Sequence, residues 1–285
     1  MTDAARKTGP DAMLLVAIEQ AFTARQRILT DDLAYPILPF GPRVWARLMR
    51  PLKDWIVSKT EERVPGLWGG IMARKRFIDD AVASGPTEAV VNLGAGFDTR
   101  AFRLPALAEV PVWEIDLERN IDPKRARLRR IFGEVPAHVT LAAVDFDRED
   151  LGTALASYGY AADVRTFFIW EGVTQYLAEP GVRATFDLLA KAVGGSRLVF
   201  TYIRKDFLTG EVSYGQEYLY EKMRKTDEVW LYGIDPDNVG KLLAEHGWRV
   251  VEELGYDELG ERYVKPTGRG LAWIAIERIV LAEKS

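Results

Sequence analysis

Residues Val90–Arg100 read Val-Val-Asn-Leu-Gly-Ala-Gly-Phe-Asp-Thr-Arg. An apolar run that ends in Gly94-x-Gly96 and passes into helix-forming residues is the pattern of a nucleotide-binding corner. The glycines permit a sharp turn and close approach to bare backbone, and the helix start offers free N–H groups. A dinucleotide fingerprint would place a third glycine three residues after the second. Thr99 stands there instead, with Asp98 beside it. A carboxylate in the turn repels pyrophosphate and suits an ammonium. The corner is therefore expected to take a cationic, phosphate-free nucleoside, a description that S-adenosylmethionine fits.

Further carboxylates fall where such a ligand needs them. Asp116 closes the next apolar stretch and is expected to accept hydrogen bonds from both ribose hydroxyls. Glu114 would share its face of a strand, but only the strand's end reaches the ligand crevice. Asp145 with Phe146 follows the third stretch, where a carboxylate can accept from the adenine amino group while the phenyl ring packs on the base. Glu171 follows Thr-Phe-Phe-Ile-Trp and could hold the ammonium of the cofactor's amino-acid portion.

These residues need a sheet to bring them together, and the chain has the pattern of one. Strands are expected at Ala89–Leu93, Val112–Ile115, Val139–Ala143, Thr166–Trp170 and Arg197–Tyr202. Helices are expected between them, at Asp98–Leu104, Arg119–Phe132, Arg148–Tyr158 (with Asp147 as a cap) and Gly181–Val193. Such alternation implies a mostly parallel sheet covered on both faces. Two last strands, Trp248–Leu254 and Leu271–Arg278, are expected to pair as a hairpin. The fold class is thus α/β, a Rossmann-like sheet of five parallel strands plus a C-terminal hairpin, the plan of class I methyltransferases. Residues 1–85, with helices at Ala12–Arg27 and Leu67–Ala83 around a proline-rich stretch, form a helical extension or cap. Residues 86–285 form the cofactor-binding domain, with a lid segment at about 205–230.

Composition narrows the classes. Of 285 residues 48% are hydrophobic, enough for a sizeable core. There is no cysteine, which excludes disulfides and thiolate chemistry. The net charge of −4 argues against a dedicated nucleic-acid binder. The basic run Lys124–Arg130 is expected to be the solvated face of a helix. The N-terminus is polar without a signal-peptide core, and the apolar run Ala12–Ile18 is too short to span a bilayer. A cytoplasmic protein with no membrane partner is expected.

The order and spacing of these pieces resemble the leucine carboxyl methyltransferase family, which includes bacterial polyketide O-methyltransferases. The resemblance runs from about Asp11 to Lys284. It rests on Val-Asn-Leu-Gly-Ala-Gly-Phe-Asp-Thr-Arg, supported by residues 73–80, Trp-Glu-Ile-Asp (113–116), Asp-Phe (145–146), Trp-Glu-Gly-Val-Thr-Gln-Tyr-Leu (170–177), residues 247–255 and Arg-Tyr (262–263). It implies methyl transfer from S-adenosylmethionine to an oxygen, leaving S-adenosylhomocysteine, with no metal. It implies that Arg74 clamps the cofactor's carboxylate, a task suited to a guanidinium fork. It also implies a cofactor contact for Glu171 and places Tyr176 at the reaction centre.

The acceptor is less constrained. A carboxylate is already anionic and needs no base, whereas a phenol, with a pKa of about 10, would benefit from one. The two histidines, His138 and His246, are placed for structural roles, so no catalytic base stands out and a carboxylate is mildly favoured. Tyr202 and Arg204, after the fifth strand, are candidates beside Tyr176 for the substrate, and Arg204 could bind an acidic one. Trp45, Trp55, Trp68, Tyr214, Tyr218 and Trp230 could line an apolar cavity. The expected substrate is a small, polyketide-like acid or phenol, with a protein substrate less favoured. A nicotinamide oxidoreductase and a non-catalytic cofactor binder are the competing readings.

Overall fold

The structure is a computed structural model that describes residues 5–146, 149–225, 230–272 and 274–285, with side chains from residue 12 onward. Seven strands form one sheet: β1 (Ala89–Leu93), β2 (Val112–Asp116), β3 (Val139–Ala143), β4 (Thr166–Trp170), β5 (Arg197–Ile203), β6 (Trp248–Leu254) and β7 (Glu277–Lys284). Their order is β3-β2-β1-β4-β5-β7-β6. The first five are parallel. β7 runs antiparallel between β5 and β6, so the hairpin forms as expected. From β1 the chain winds outward through β2 and β3, then returns to lay β4 on the other side of β1. This reversal leaves a crevice at the C-terminal ends of β1 and β4, where open α/β sheets bind ligands.

β1 and β4 are buried along their whole length, as apolar central strands must be. Side chains alternate between two cores. Val90, Phe167, Ile169 and Val199 face the helices that precede the sheet. Val91, Leu93, Phe168, Trp170 and Phe200 face the helices Glu179–Leu189 and Pro236–Glu245. Each such large apolar side chain contributes roughly 1.5–3 kcal/mol on burial.

Before the sheet come α1 (Ala5–Glu19), α2 (Ala34–Ile37), α3 (Phe40–Met49), α4 (Lys53–Arg63) and α5 (Leu67–Ala83). Buried Glu19 ties this region together. Its carboxylate accepts from Trp68 Nε1 at 2.8 Å, the Ile28 amide at 2.8 Å and Arg269 Nη1 at 2.7 Å. The Gly94–Gly96 corner is followed by α6 (Arg100–Arg103), and α7 (Glu118–Phe132) follows β2.

Several expectations shift. The last strand runs Glu277–Lys284 rather than Leu271–Arg278, so the two share only Glu277 and Arg278; before it, Ile274 and Ile276 put their side chains on the cavity wall. The helix after β3 is Leu151–Ser157, capped by Asp150, whose side chain accepts from the Thr153 amide; Asp147 lies outside the described residues. Lys124 is not solvated. It is buried under β2 and pairs with Glu114.

Candidate functional site

The crevice opens into a cavity of about 390 Å³. Its polar end is built from strand ends. Gly94 and Gly96 adopt positive φ (+76° and +44°), which explains why glycine occupies both places. A Cβ on Gly94 would also collide with Val173 Cγ2. Asp116 ends β2 and accepts from the Gly96 amide, the Leu117 amide and Asn120 Nδ2, each at 2.7 Å. A carboxylate has about four lone-pair sites, so one remains for a ligand hydroxyl rather than the two expected. Asn120 lines the cavity beside it. Glu114, two residues earlier, does not reach the cavity.

Behind the corner lies a buried ionic cluster. Glu171 accepts from Arg74 Nε at 2.9 Å and Arg100 Nη1 at 2.8 Å, and lies 3.2 Å from Lys75 Nζ. Burial pushes its carboxyl up, but Lys75, Arg100 and Arg74 together hold it well below the usual carboxylate range. Arg100 also pairs with Asp98 and, at 2.7 Å, with Asp79. Asp98, buried but facing Arg100 and Lys75, is held down to about 2. Arg103 binds Asp79 at 2.7 Å and reaches Asp31, which accepts from Thr99 Oγ1 at 2.6 Å. Thr99, in the place of the third glycine, thus fastens the corner to the helical region.

These contacts correct two sequence readings. Asp98 and Glu171 were both expected to be available to an ammonium, and both are already neutralised by arginines. Arg74 does line the cavity, but not as an open fork. Its Nη1 is held by both oxygens of Glu277, at 2.8 and 2.7 Å, and its Nε by Glu171, which leaves Nη2 as its side toward Gly172. Glu277 is fixed in turn by the Tyr256 hydroxyl. Lys75, Asn120, Tyr256 and Glu277 were not foreseen. Asn120 carries a faint signal, one helical turn after Asp116, whereas the 203-residue separation of Arg74 and Glu277 carries none.

The other end of the cavity is apolar. Met13, Leu15, Ile71, Leu219, Trp230 and Ile274 wall it, with Lys222 on the same helix as Leu219, and Phe146 and Tyr176 line the cavity too. Asp145 lies beside Phe146 but does not line the cavity. Tyr202 and Arg204 are corrected outright. The Tyr202 side chain points to the far core, where its hydroxyl donates to Glu253 at 2.6 Å. Arg204 pairs with Asp206 at 2.8 Å and lies over the Tyr214 ring. Strand alternation explains the first: Ile203, the next residue, is the one that faces the cavity. Of the six aromatics, Tyr218 and Trp230 reach the cavity. Trp68 is core, and Trp45 and Trp55 are exposed. His138 and His246 bond the carbonyls of Ala101 and Leu242, away from the site.

A sequence profile of leucine carboxyl methyltransferases matches residues 12–190, more than half of the chain, including Arg74, the glycine corner, Asp116 and Glu171. The chain belongs to the leucine carboxyl methyltransferase family. Its relatives include two proteins named as candidate S-adenosyl-L-methionine-dependent methyltransferases. One, from Mycolicibacterium gilvum, is 30% identical over 273 residues, covering 87% of this chain and 86% of that protein. The other, from Mycolicibacterium smegmatis, is 31% identical over 262 residues, covering 87% and 84%. Among solved structures, the S-adenosylhomocysteine-bound magnesium protoporphyrin IX methyltransferase of Synechocystis PCC 6803 aligns at a TM-score of 0.49 and 14% identity, over 82% of this chain and 99% of that one. This family member is an S-adenosylmethionine-dependent methyltransferase with a class I fold, and the oxidoreductase reading gives way to that assignment.

Proposed function

We propose that this methyltransferase methylates a carboxylate oxygen of a small, largely apolar molecule of polyketide-like size. The observation that carries this reading is the two-ended cavity. A polar corner suited to the cofactor opens directly onto a wall of Met13, Leu15, Leu219, Trp230 and Ile274. Among the described residues no histidine lines it. Tyr256 is a poor proton acceptor, because burial and the neighbouring Glu277 carboxylate push its hydroxyl well above its ordinary range. An acceptor that arrives already ionised needs no base from this lining.

In this reading the cofactor supplies a methyl group activated by a sulfonium, and the chain's own work is alignment and exclusion of water. Gly94 and Gly96 admit the cofactor to the backbone. The remaining lone pair of Asp116 takes one ribose hydroxyl, and Asn120 is placed for the other. Phe146 would pack on adenine, with Asp145 at its edge. Arg74, through Nη2, and Lys75 face the cofactor's carboxylate, while Glu171 holds both cations in place. Tyr176 stands at the junction with the acceptor. Residues 1–85 and the lid segment at about 205–230 would cover the acceptor end.

The test is incubation of the purified protein with S-adenosylmethionine and matched pairs of hydrophobic carboxylic acids and phenols, reading S-adenosylhomocysteine and the methylated product. Methyl esters from acids, with phenyl ethers slower or absent, are expected. Ethers alone would overturn the carboxylate reading. Tight cofactor binding with no turnover across the panel would favour a non-catalytic binder.

A further inference from the structure

Half of the large apolar side chains exposed among the described residues lie between residues 40 and 55. Phe40, Val44 and Leu48 are spaced by four residues, which puts them in one row along α3. Phe40 is 72% exposed and Leu48 65%. Leu52 and Trp55 (57% exposed) continue the row across the turn into α4. Only Ala46 of α3 is buried, so the helix leaves its strongly apolar side without a protein partner. Scattered surface leucines are ordinary, but a continuous row is not.

The same region is basic in an acidic chain. Residues 33–53 contain Arg43, Arg47, Arg50 and Lys53 and no acid, against a net charge of −4 overall. Arg47 and Arg50 have no ion-pair partner among the described residues. The tertiary structure adds to this. Arg130 Nη2 donates to the Pro36 carbonyl at 3.2 Å, which brings the C-terminal half of α7 against this region. Arg127 is accordingly pushed down, first by burial and then by the like charges of Arg130 and Arg43, and its Nη1 has no hydrogen-bond partner. Two basic segments far apart in sequence thus converge beside one apolar row.

We propose that this face docks the protein onto an anionic lipid surface, with Phe40, Leu48 and Trp55 entering the acyl boundary and Arg43, Arg47, Arg50 and Arg130 meeting headgroup phosphates. Aromatic and aliphatic side chains flanked by arginines are the composition of a helix that lies in a membrane interface. A second copy of the chain, packed through the same face about a two-fold axis, would oppose uncompensated arginines to arginines. A nucleic acid would satisfy the arginines but offers nothing to Val44, Leu48 and Leu52. The contact proposed is peripheral; no helix among the described residues is long and apolar enough to cross a membrane. The neighbouring turn into α5 carries Val64 and Leu67 of the cavity wall, so an apolar acceptor dissolved in the bilayer would lie close to its site.

The experiment is sedimentation of the full chain with vesicles of phosphatidylcholine alone and of an equal mixture with phosphatidylglycerol, at low and high salt. Binding to the anionic vesicles about tenfold tighter or more, weakened by salt, is expected. Arg47→Glu/Arg50→Glu and Phe40→Ser/Leu48→Ser should each lose most of it while binding S-adenosylmethionine as the parent does, since none of these residues lines the cavity. Equal binding to both vesicles, or binding retained in both variants, overturns the proposal. So does a concentration-dependent dimer abolished by Phe40→Ser/Leu48→Ser, or tighter binding to a DNA duplex than to the anionic vesicles.

Discussion

Two sites in this molecule bury charge, and they resolve the cost in opposite ways. Around Arg100, at least two cations face each of Asp79 and Glu171, and the carboxyls of Glu171 and Asp98 are held down despite burial. Under β2, Glu114 faces Lys124 alone. The two lie 2.7 Å apart, and burial pushes Glu114 up to about 7 against the pull of Lys124. Burial alone therefore does not decide ionisation; the number and geometry of counter-charges do. The first site borders the cofactor crevice and holds Arg74 and Lys75 in place. The second is sealed from it.

Removing the hub of the cluster should have the largest effect. Arg100→Met leaves Asp98, Asp79 and Glu171 short of a partner inside the protein, and a loss of about 3–5 kcal/mol is expected by denaturant unfolding. A loss below about 1 kcal/mol would show that the cluster is far wetter than its burial implies.

The lone pair should behave differently. Lys124→Met strands Glu114 and should cost roughly 3 kcal/mol near pH 8, whereas Glu114→Gln/Lys124→Met should recover most of that, because the pair gains little over neutral packing. The pH dependence carries its own sign. Glu114 titrates higher folded (about 7) than unfolded (4.5), so its contribution is full below about 4.5 and is lost as pH rises to about 7. Asp98 runs the other way: with a folded value of about 2 against 3.8, its contribution is full above 3.8 and is lost as pH falls toward 2. Stability of the parent minus that of Glu114→Gln, followed by chemical denaturation across pH, should decline over the first window. A flat difference would remove the distinction between the two sites.

On β2 the comparison sharpens to neighbours on one face. Asp116→Ala should weaken S-adenosylmethionine binding by about 10–100-fold in calorimetry, the worth of a hydrogen bond to a charged acceptor. Glu114→Gln should leave it within about twofold, since Glu114 lies outside the cavity. Equal losses would mean that the pair shapes the corner after all. The smallest effect is expected at Tyr202→Phe, which removes only the bond to Glu253 on the far side of the sheet: about 1 kcal/mol of stability and no change in methyl transfer. A large loss of turnover there would restore the substrate role that its position after β5 suggested.

Much was legible in the residues alone. Apolar runs of strand length set β1 and β4 to the residue, because central parallel strands are buried on both faces and admit little else, and the edge strands β3 and β6 also begin and end where expected. The glycine corner, the strand-end Asp116 and the crevice they share follow from local backbone needs and from the rule that parallel strands present ligands at their C-terminal ends. What the sequence could not decide is which charges meet. Arg74 and Glu277, Arg100 and Asp79, Glu19 and Arg269 are joined only when the helices before the sheet and the connection before β7 close over it. Those pairings turned Glu171 and Asp98 from open acids into partners of arginines. Local pattern is a property of neighbours along the chain. Charge pairing in a buried site depends on distances across the fold, and only the tertiary structure sets those.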